Sequence, residues 1–133
     1  MEVLADTHAL VWYLDGSASL SAVAREVLQQ SEAERQLLVS VASFIDAWYV
    51  SQTTGAIPSE ALEALVRLVR RRESGYRVVA VTDRIALESN AIGKDRLPDP
   101  WDRLIVAAAR IRRVPLVTRD TRIRRSGLVE TLW

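Results

Sequence analysis

The 133-residue chain has no cysteine, one histidine, one lysine, one phenylalanine and five scattered glycines. Each shortage removes a class of chemistry. Without cysteine there is no disulfide, no thiolate nucleophile and no thiolate metal site. With one histidine, His8, and no cysteine, a classical zinc hydrolase lacks its ligands. A Ser-His-Asp hydrolase would have to use His8, and no G-x-S-x-G elbow is present. The glycines at 16, 55, 75, 93 and 127 are isolated, so no glycine-rich loop is available to cradle a nucleotide phosphate. A phosphoacceptor of the receiver type needs a lysine after a late strand. Lys94, the one candidate, falls in a predicted loop ahead of a helix. A D-x-D phosphatase is disfavoured because position 8 is histidine. No apolar run approaches the roughly 18 residues of a membrane span. Met1 leads directly into a strand-like segment, so no signal peptide is expected ahead of the fold. The reading is a cytoplasmic protein without a membrane segment.

What is present is an ordinary globular composition. Hydrophobic residues make up 49%, enough for one core, and the length suits one domain spanning residues 1–133. The net charge of +1 gives no global nucleic-acid signal. All but one of the 18 basic residues are arginine, which suits phosphate recognition but equally follows from a GC-rich coding bias.

Periodicity places a strand at Glu2–Ala5, then a helix capped by Asp6-Thr7 and stopped at Gly16. A second helix is expected at Ser19–Ser31 and a strand at Leu37–Ser40. Val41–Thr53 follows as a helix almost without a break. Another helix runs from Pro58 to about Arg72, with Leu62, Leu65, Val66 and Val69 at helical spacing. Tyr76–Val81 reads as a strand, Thr82-Asp83 caps a helix to Asn90, and Gly93–Pro98 is loop. Asp99-Pro100 opens a helix to about Arg112, since proline suits the first helical position. Val114–Thr118 and Val129–Leu132 close the series as strands. Strands separated by helices imply a parallel sheet covered on both faces. The expected class is α/β, a three-layer α/β/α domain with a central, mainly parallel sheet.

Four aspartates stand out on this frame. Asp6 directly follows the first strand, and Asp120 follows the Val114–Thr118 strand, so both belong at the carboxyl edge where open α/β sheets bind ligands. Asp102 lies in the first turn of the helix before that strand. Asp46 interrupts the apolar FIDAWYV. Each has a local reading of its own: Asp6 as a cap, Asp102 as a dipole partner, Asp120 as a turn residue, Asp46 as half of a buried arginine pair. A single acidic pocket holding a divalent cation accounts for all four.

VLADTHALVW, SVASFIDAW, LPDPWDRLIVAAA and PLVTRD together resemble the PIN domain, and within it the VapC-type toxin ribonucleases of type II (VapBC) toxin–antitoxin modules. The resemblance spans the chain. It implies Mg²⁺ or Mn²⁺, a metal-activated water hydrolysing an RNA phosphodiester, a homodimer, and a small VapB-like antitoxin that blocks the site. Asp6, Asp102 and Asp120 match three metal-binding acids of the family, and Thr118 matches the hydroxyl residue two before the last. Asp46 stands where the family usually has glutamate in S-x-x-S-x-x-E; here the pattern is Ser40, Ser43, Asp46. The stretch before Asp99 also lacks a histidine often found there. All four aspartates are candidate catalytic and metal-binding residues, with Thr118, Arg103 and Arg119 as candidate substrate contacts. The alternative is a PIN-like module that binds RNA or an antitoxin with weak or no nuclease activity.

The remaining signals are looser. Arginines 110, 112, 113, 119, 122, 124 and 125 could guide RNA or form a solvated face. Arginines 67, 70, 71 and 72 fit a helix C-terminus. Trp12-Tyr13 and Trp48-Tyr49 read as core or a homodimer surface before base-stacking groups, and His8 as a packed or capping residue.

Overall fold

The computed structural model describes residues 1–70 and 75–133. The expected ends of the Pro58–Arg72 helix, Arg71 and Arg72, lie outside the described residues.

Five strands form one sheet in the order β3-β2-β1-β4-β5: β1 (Val3–Ala5), β2 (Leu37–Ser40), β3 (Tyr76–Val79), β4 (Leu116–Val117) and β5 (Thr131–Leu132). All four pairings are parallel, with Leu4 opposite both Leu38 and Leu116. The helices are α1 (Thr7–Asp15), α2 (Ala22–Ala33), α3 (Val41–Thr53), α4 (Ser59–Arg70), α5 (Asp83–Ile92), α6 (Pro100–Arg112) and α7 (Thr121–Ser126). The short, almost wholly apolar β1 and β2 are buried on both faces, as parallel strands between helical layers must be.

Strand alternation sorts the core into two layers. Val3, Ala5, Leu37, Val39 and Val117 face Leu10, Leu28 and Leu65 of the α1, α2 and α4 side. Leu4, Leu38 and Leu116 face Ile85, Ile105, Ala109 and Ile123 of the α5, α6 and α7 side. This is the expected three-layer α/β/α arrangement.

Several boundaries differ from the sequence reading. The helix expected from Ser19 starts at Ala22, because the Ser21 hydroxyl accepts from the Ala24 amide and fixes the cap there. Strand β3 stops at Val79. The strand expected over Val114–Thr118 is reduced to Leu116–Val117, and the last strand to Thr131–Leu132. The sequence reading had no helix after Asp120; α7 is there, nucleated by the Asp120 carboxylate accepting from the Ile123 amide at 3.0 Å. Its sequence, TRIRRS, offers one apolar residue, Ile123, so periodicity carried no signal.

The strand order creates a switch point. From β1 the chain builds outward through β2 to β3, then returns to the other side of β1 to lay down β4 and β5. At such a reversal the loops leaving β1 and β4 diverge and open a crevice at the carboxyl ends of the strands. Asp6 leaves β1 there, and Thr118, Arg119 and Asp120 leave β4.

Candidate metal centre in an acidic cleft

A cleft of about 710 Å³ opens at this switch point, with Asp6, Asp46, Asp99, Asp102 and Asp120 in its wall. All four aspartates singled out in the sequence are therefore in one place. Asp6 caps α1, its Oδ1 accepting from the Thr7 amide at 2.8 Å. Its Oδ2 accepts from the Thr118 hydroxyl at 2.7 Å. Asp120 caps α7. Capping and cleft-lining are thus compatible, since a carboxylate has acceptor capacity for a backbone amide and for something else. Asp102 sits in the first turn of α6, and Asp46 lies inside α3, 8% exposed.

Asp99 is the acid the sequence reading missed as a site residue. In the sequence it reads only as a helix starter, and it is one: its Oδ1 accepts from the amides of Trp101 at 2.8 Å and Asp102 at 3.3 Å. The signal lay in the D-P-W-D spacing, which puts two carboxylates three apart on one helical turn.

Buried hydroxyls brace the acids. Thr118 is fully buried, and its hydroxyl accepts from the Asp120 amide at 3.0 Å while donating to Asp6. Thr7 and Ser43 are buried and bonded to each other at 3.3 Å, tying α1 to α3. Arg103 points elsewhere: its guanidinium donates to the Leu97 carbonyl at 2.6 Å and the Pro98 carbonyl at 3.0 Å, which braces the loop before α6. Arg119, exposed, is in the cleft wall beside His8, Trp12 and Arg122. The rest of the arginine series divides. Arg110 pairs with Glu88 at 2.6 Å near the far end of α6, about 15 Å along the helix from its N-terminal turn.

The electrostatics follow from packing carboxylates together with little water. Burial is the first cause of the raised pKa at Asp102, followed by repulsion from Asp6, Asp99, Asp120 and Asp46; together they push it up to about 8. Burial also raises Asp6, against the Thr118 and Thr7 hydrogen bonds. It raises Asp46 too, against the Thr7 hydroxyl, with Asp99 adding repulsion. Among the described residues no ion pair involves any of the five. The buried arginine partner considered for Asp46 is not among them.

The carboxylates suit a hard divalent cation: oxygen donors, crowded negative charge and, among the described residues, no salt-bridge partner. Among the described residues no three of these carboxylates stand together in ligating position.

The sequence model of the PIN domain matches residues 3–127. The chain is 29% identical over 134 residues to ribonuclease VapC22 of Mycobacterium tuberculosis, covering 98% of each. Its fold is similar to that of a toxin–antitoxin complex from Klebsiella pneumoniae, with a TM-score of 0.69 at 17% identity over 99% of this chain and 97% of that one. It is also similar to the DNA-bound VapBC of Salmonella typhimurium, with a TM-score of 0.70 at 14% identity over 99% and 97%. A third is VapC20 of Mycobacterium tuberculosis, a sarcin-ricin loop cleaving toxin, with a TM-score of 0.65 at 18% identity over 97% and 98%. The chain belongs to the PIN domain family.

Proposed function

We propose that the chain is the toxin of a toxin–antitoxin module, a single-domain endoribonuclease that depends on Mg²⁺ or Mn²⁺. The observation that carries this reading is Asp102, partly buried among four other aspartates without a cation partner among the described residues. The 29% identity with a ribonuclease along the whole chain supports it.

Asp6 and Asp102 would hold the cation, with Asp46 and Asp120 contributing from the same cleft. A bound divalent cation supplies positive charge against the charge developing on the phosphate and lowers the pKa of water at the site. The chain's own residues do the rest. Thr118 fixes the Asp6 carboxylate and the Asp120 backbone in one bonded unit, and the Thr7–Ser43 contact holds α1 against α3. Arg119 offers charge to substrate from the cleft wall. Thr118 is buried and already bonded, so its part is to hold the acids and not to touch RNA. Arg103 braces the loop before α6.

The partner reading is a small antitoxin, supported by the likeness to the toxin–antitoxin complex from Klebsiella pneumoniae. Ile45, Trp48, Tyr49 and Val66, 41–52% exposed on α3 and α4, support a protein surface there, shared by an antitoxin or a second copy. No helix among the described residues is long and apolar enough to cross a membrane; a cytoplasmic setting is part of the proposal.

Asp46 favours a second reading. It is one methylene shorter than the usual glutamate, which fits a PIN-like module that binds RNA or antitoxin and cleaves feebly. A ribonuclease assay with Mg²⁺ separates the two. The wild type cleaves and Asp6→Asn and Asp102→Asn do not; full activity in both variants overturns the mechanism, and an inert wild type favours the binding module.

A further inference from the structure

Arg119 stands in the acidic cleft and yet, among the described residues, pairs with none of its aspartates. Asp120 is its chain neighbour, and Asp6, Asp46, Asp99 and Asp102 share its cleft. A free guanidinium in such surroundings closes onto a carboxylate, the strongest hydrogen-bonding partner within reach. Among the described residues Arg119 makes no ion pair and its guanidinium no hydrogen bond. Its Cζ lies instead over the Trp12 ring, 4.4 Å from the centroid.

The ring is itself fixed. Trp12 is partly buried against the α1-side core. The His8 ring stands 5.5 Å away, one turn back on α1, and Trp133 meets it edge-on at 5.9 Å. Three separate stretches of chain therefore converge: α1, the turn after β4 and the residue after β5. A guanidinium over an aromatic face keeps its N–H donors at its edge, open to an acceptor. Stacking thus satisfies the cation without using its donors or cancelling its charge against the acids.

We infer that Trp12 is a positioning residue that holds Arg119 at the cleft wall as the contact for an RNA phosphate adjoining the one cut. This rests on the ribonuclease reading and deepens it. A cleft walled by five aspartates repels a polyanion, and a bound cation offsets that only at the scissile phosphate. The flanking backbone needs a cation that the aspartates have not captured. Stacking on Trp12 keeps one available, with Arg122 in the same wall.

The test is RNA binding in an Asp102→Asn background, which is expected neither to hold the cation nor to cleave, read by anisotropy of a labelled single-stranded RNA over a series of KCl concentrations. Arg119→Ala is expected to weaken binding roughly five- to tenfold and to lower the salt slope by about one. Trp12→Leu and Trp12→Met keep apolar bulk without the ring and should show the same two changes. Trp12→Phe should retain most of the affinity. The Trp12→Leu/Arg119→Ala pair should bind no worse than Arg119→Ala alone, as expected when one residue acts through the other. With Asp102 intact, the variants without the ring should raise KM and leave kcat nearly unchanged, a split that general destabilisation does not produce. Thermal melting identifies which of the two is folded and to be read. A folded variant without the ring that binds with wild-type affinity and salt slope overturns the inference, as does an Arg119→Ala variant that binds like its parent. Cleavage by the wild type is scored separately. An inert protein that still shows the Trp12 dependence overturns the ribonuclease reading and the adjacency to a cut phosphate, and leaves an RNA phosphate contact held by Trp12 through Arg119.

Discussion

Thr118 donates a 2.7 Å hydrogen bond from its Oγ1 to Oδ2 of Asp6, although 112 positions separate the two residues in the chain. The bond closes the switch point between β1 and β4, and both residues are buried. Replacing Thr118 by valine keeps the shape and removes the hydroxyl. Asp6 Oδ2 then loses its donor and the Asp120 amide its acceptor. The expected cost is about 1–3 kcal/mol in stability, with activity falling further because two acids lose their brace. Thr118→Ser should retain most of both. Denaturant melts and a ribonuclease assay on the two variants check this.

The raised pKa values predict how the metal-free protein responds to pH. Asp102 is held at about 8 in the fold, above its ordinary value of 3.8, which it regains on unfolding. Asp6 and Asp46 shift in the same direction. Between those two values the folded state binds more protons than the unfolded one, so stability falls as pH rises through that window. The melting temperature in chelator should therefore drop from mildly acidic pH to pH above about 8. Saturating Mg²⁺ should flatten the drop, because the cation favours the charged carboxylates. Thermal melts at stepped pH, with and without Mg²⁺, measure both effects. A metal-free melting temperature that climbs through this range contradicts the account.

Asp99 offers a way to separate charge from capping. Asparagine is as good an N-cap as aspartate, so Asp99→Asn should keep the bonds to the Trp101 and Asp102 amides. It removes one of the charges that raise Asp102. The metal-free variant should melt higher than wild type near pH 8, and it should bind Mn²⁺ more weakly. Asp99→Ala loses the cap as well, at about 1 kcal/mol. Calorimetric melts and Mn²⁺ titrations distinguish the two substitutions.

Asp46→Glu restores the family's usual side chain at the position where this sequence departs. The longer arm should carry the carboxylate further into the cleft from its site inside α3. Mn²⁺ affinity and ribonuclease rate should both rise several-fold. Weaker binding together with a lower melting temperature would mean that the cleft has closed around the shorter residue.

The site was legible in the sequence where acids stood against their surroundings. Asp46 inside an apolar helix broke a local rule, and Asp6, though a helix cap, fell at the carboxyl end of an apolar strand; both line the cleft. Asp99 obeyed its local rule so well, as a helix cap ahead of Pro100, that its second role was hidden. Helix α7 was missed for the opposite reason: with one buried residue, Ile123, it has no apolar stripe to read and depends on the Asp120 cap. The reduced length of β4 and β5 was also invisible. Val114–Val117 is apolar throughout, and how many of its residues pair is decided by a two-residue partner. The Trp12–Arg119 contact joins residues more than a hundred positions apart, and local pattern carries no trace of it.

The central claim is that four chain-distant aspartates form one divalent-cation site. Titration calorimetry of Mn²⁺ into the wild type and into Asp102→Asn tests it most directly. The account predicts saturable binding to the wild type at millimolar metal or below, accompanied by proton release near neutral pH as Asp102 deprotonates, and loss of that binding in the variant. A wild type that takes up no Mn²⁺, or an Asp102→Asn protein that binds it equally well, contradicts it.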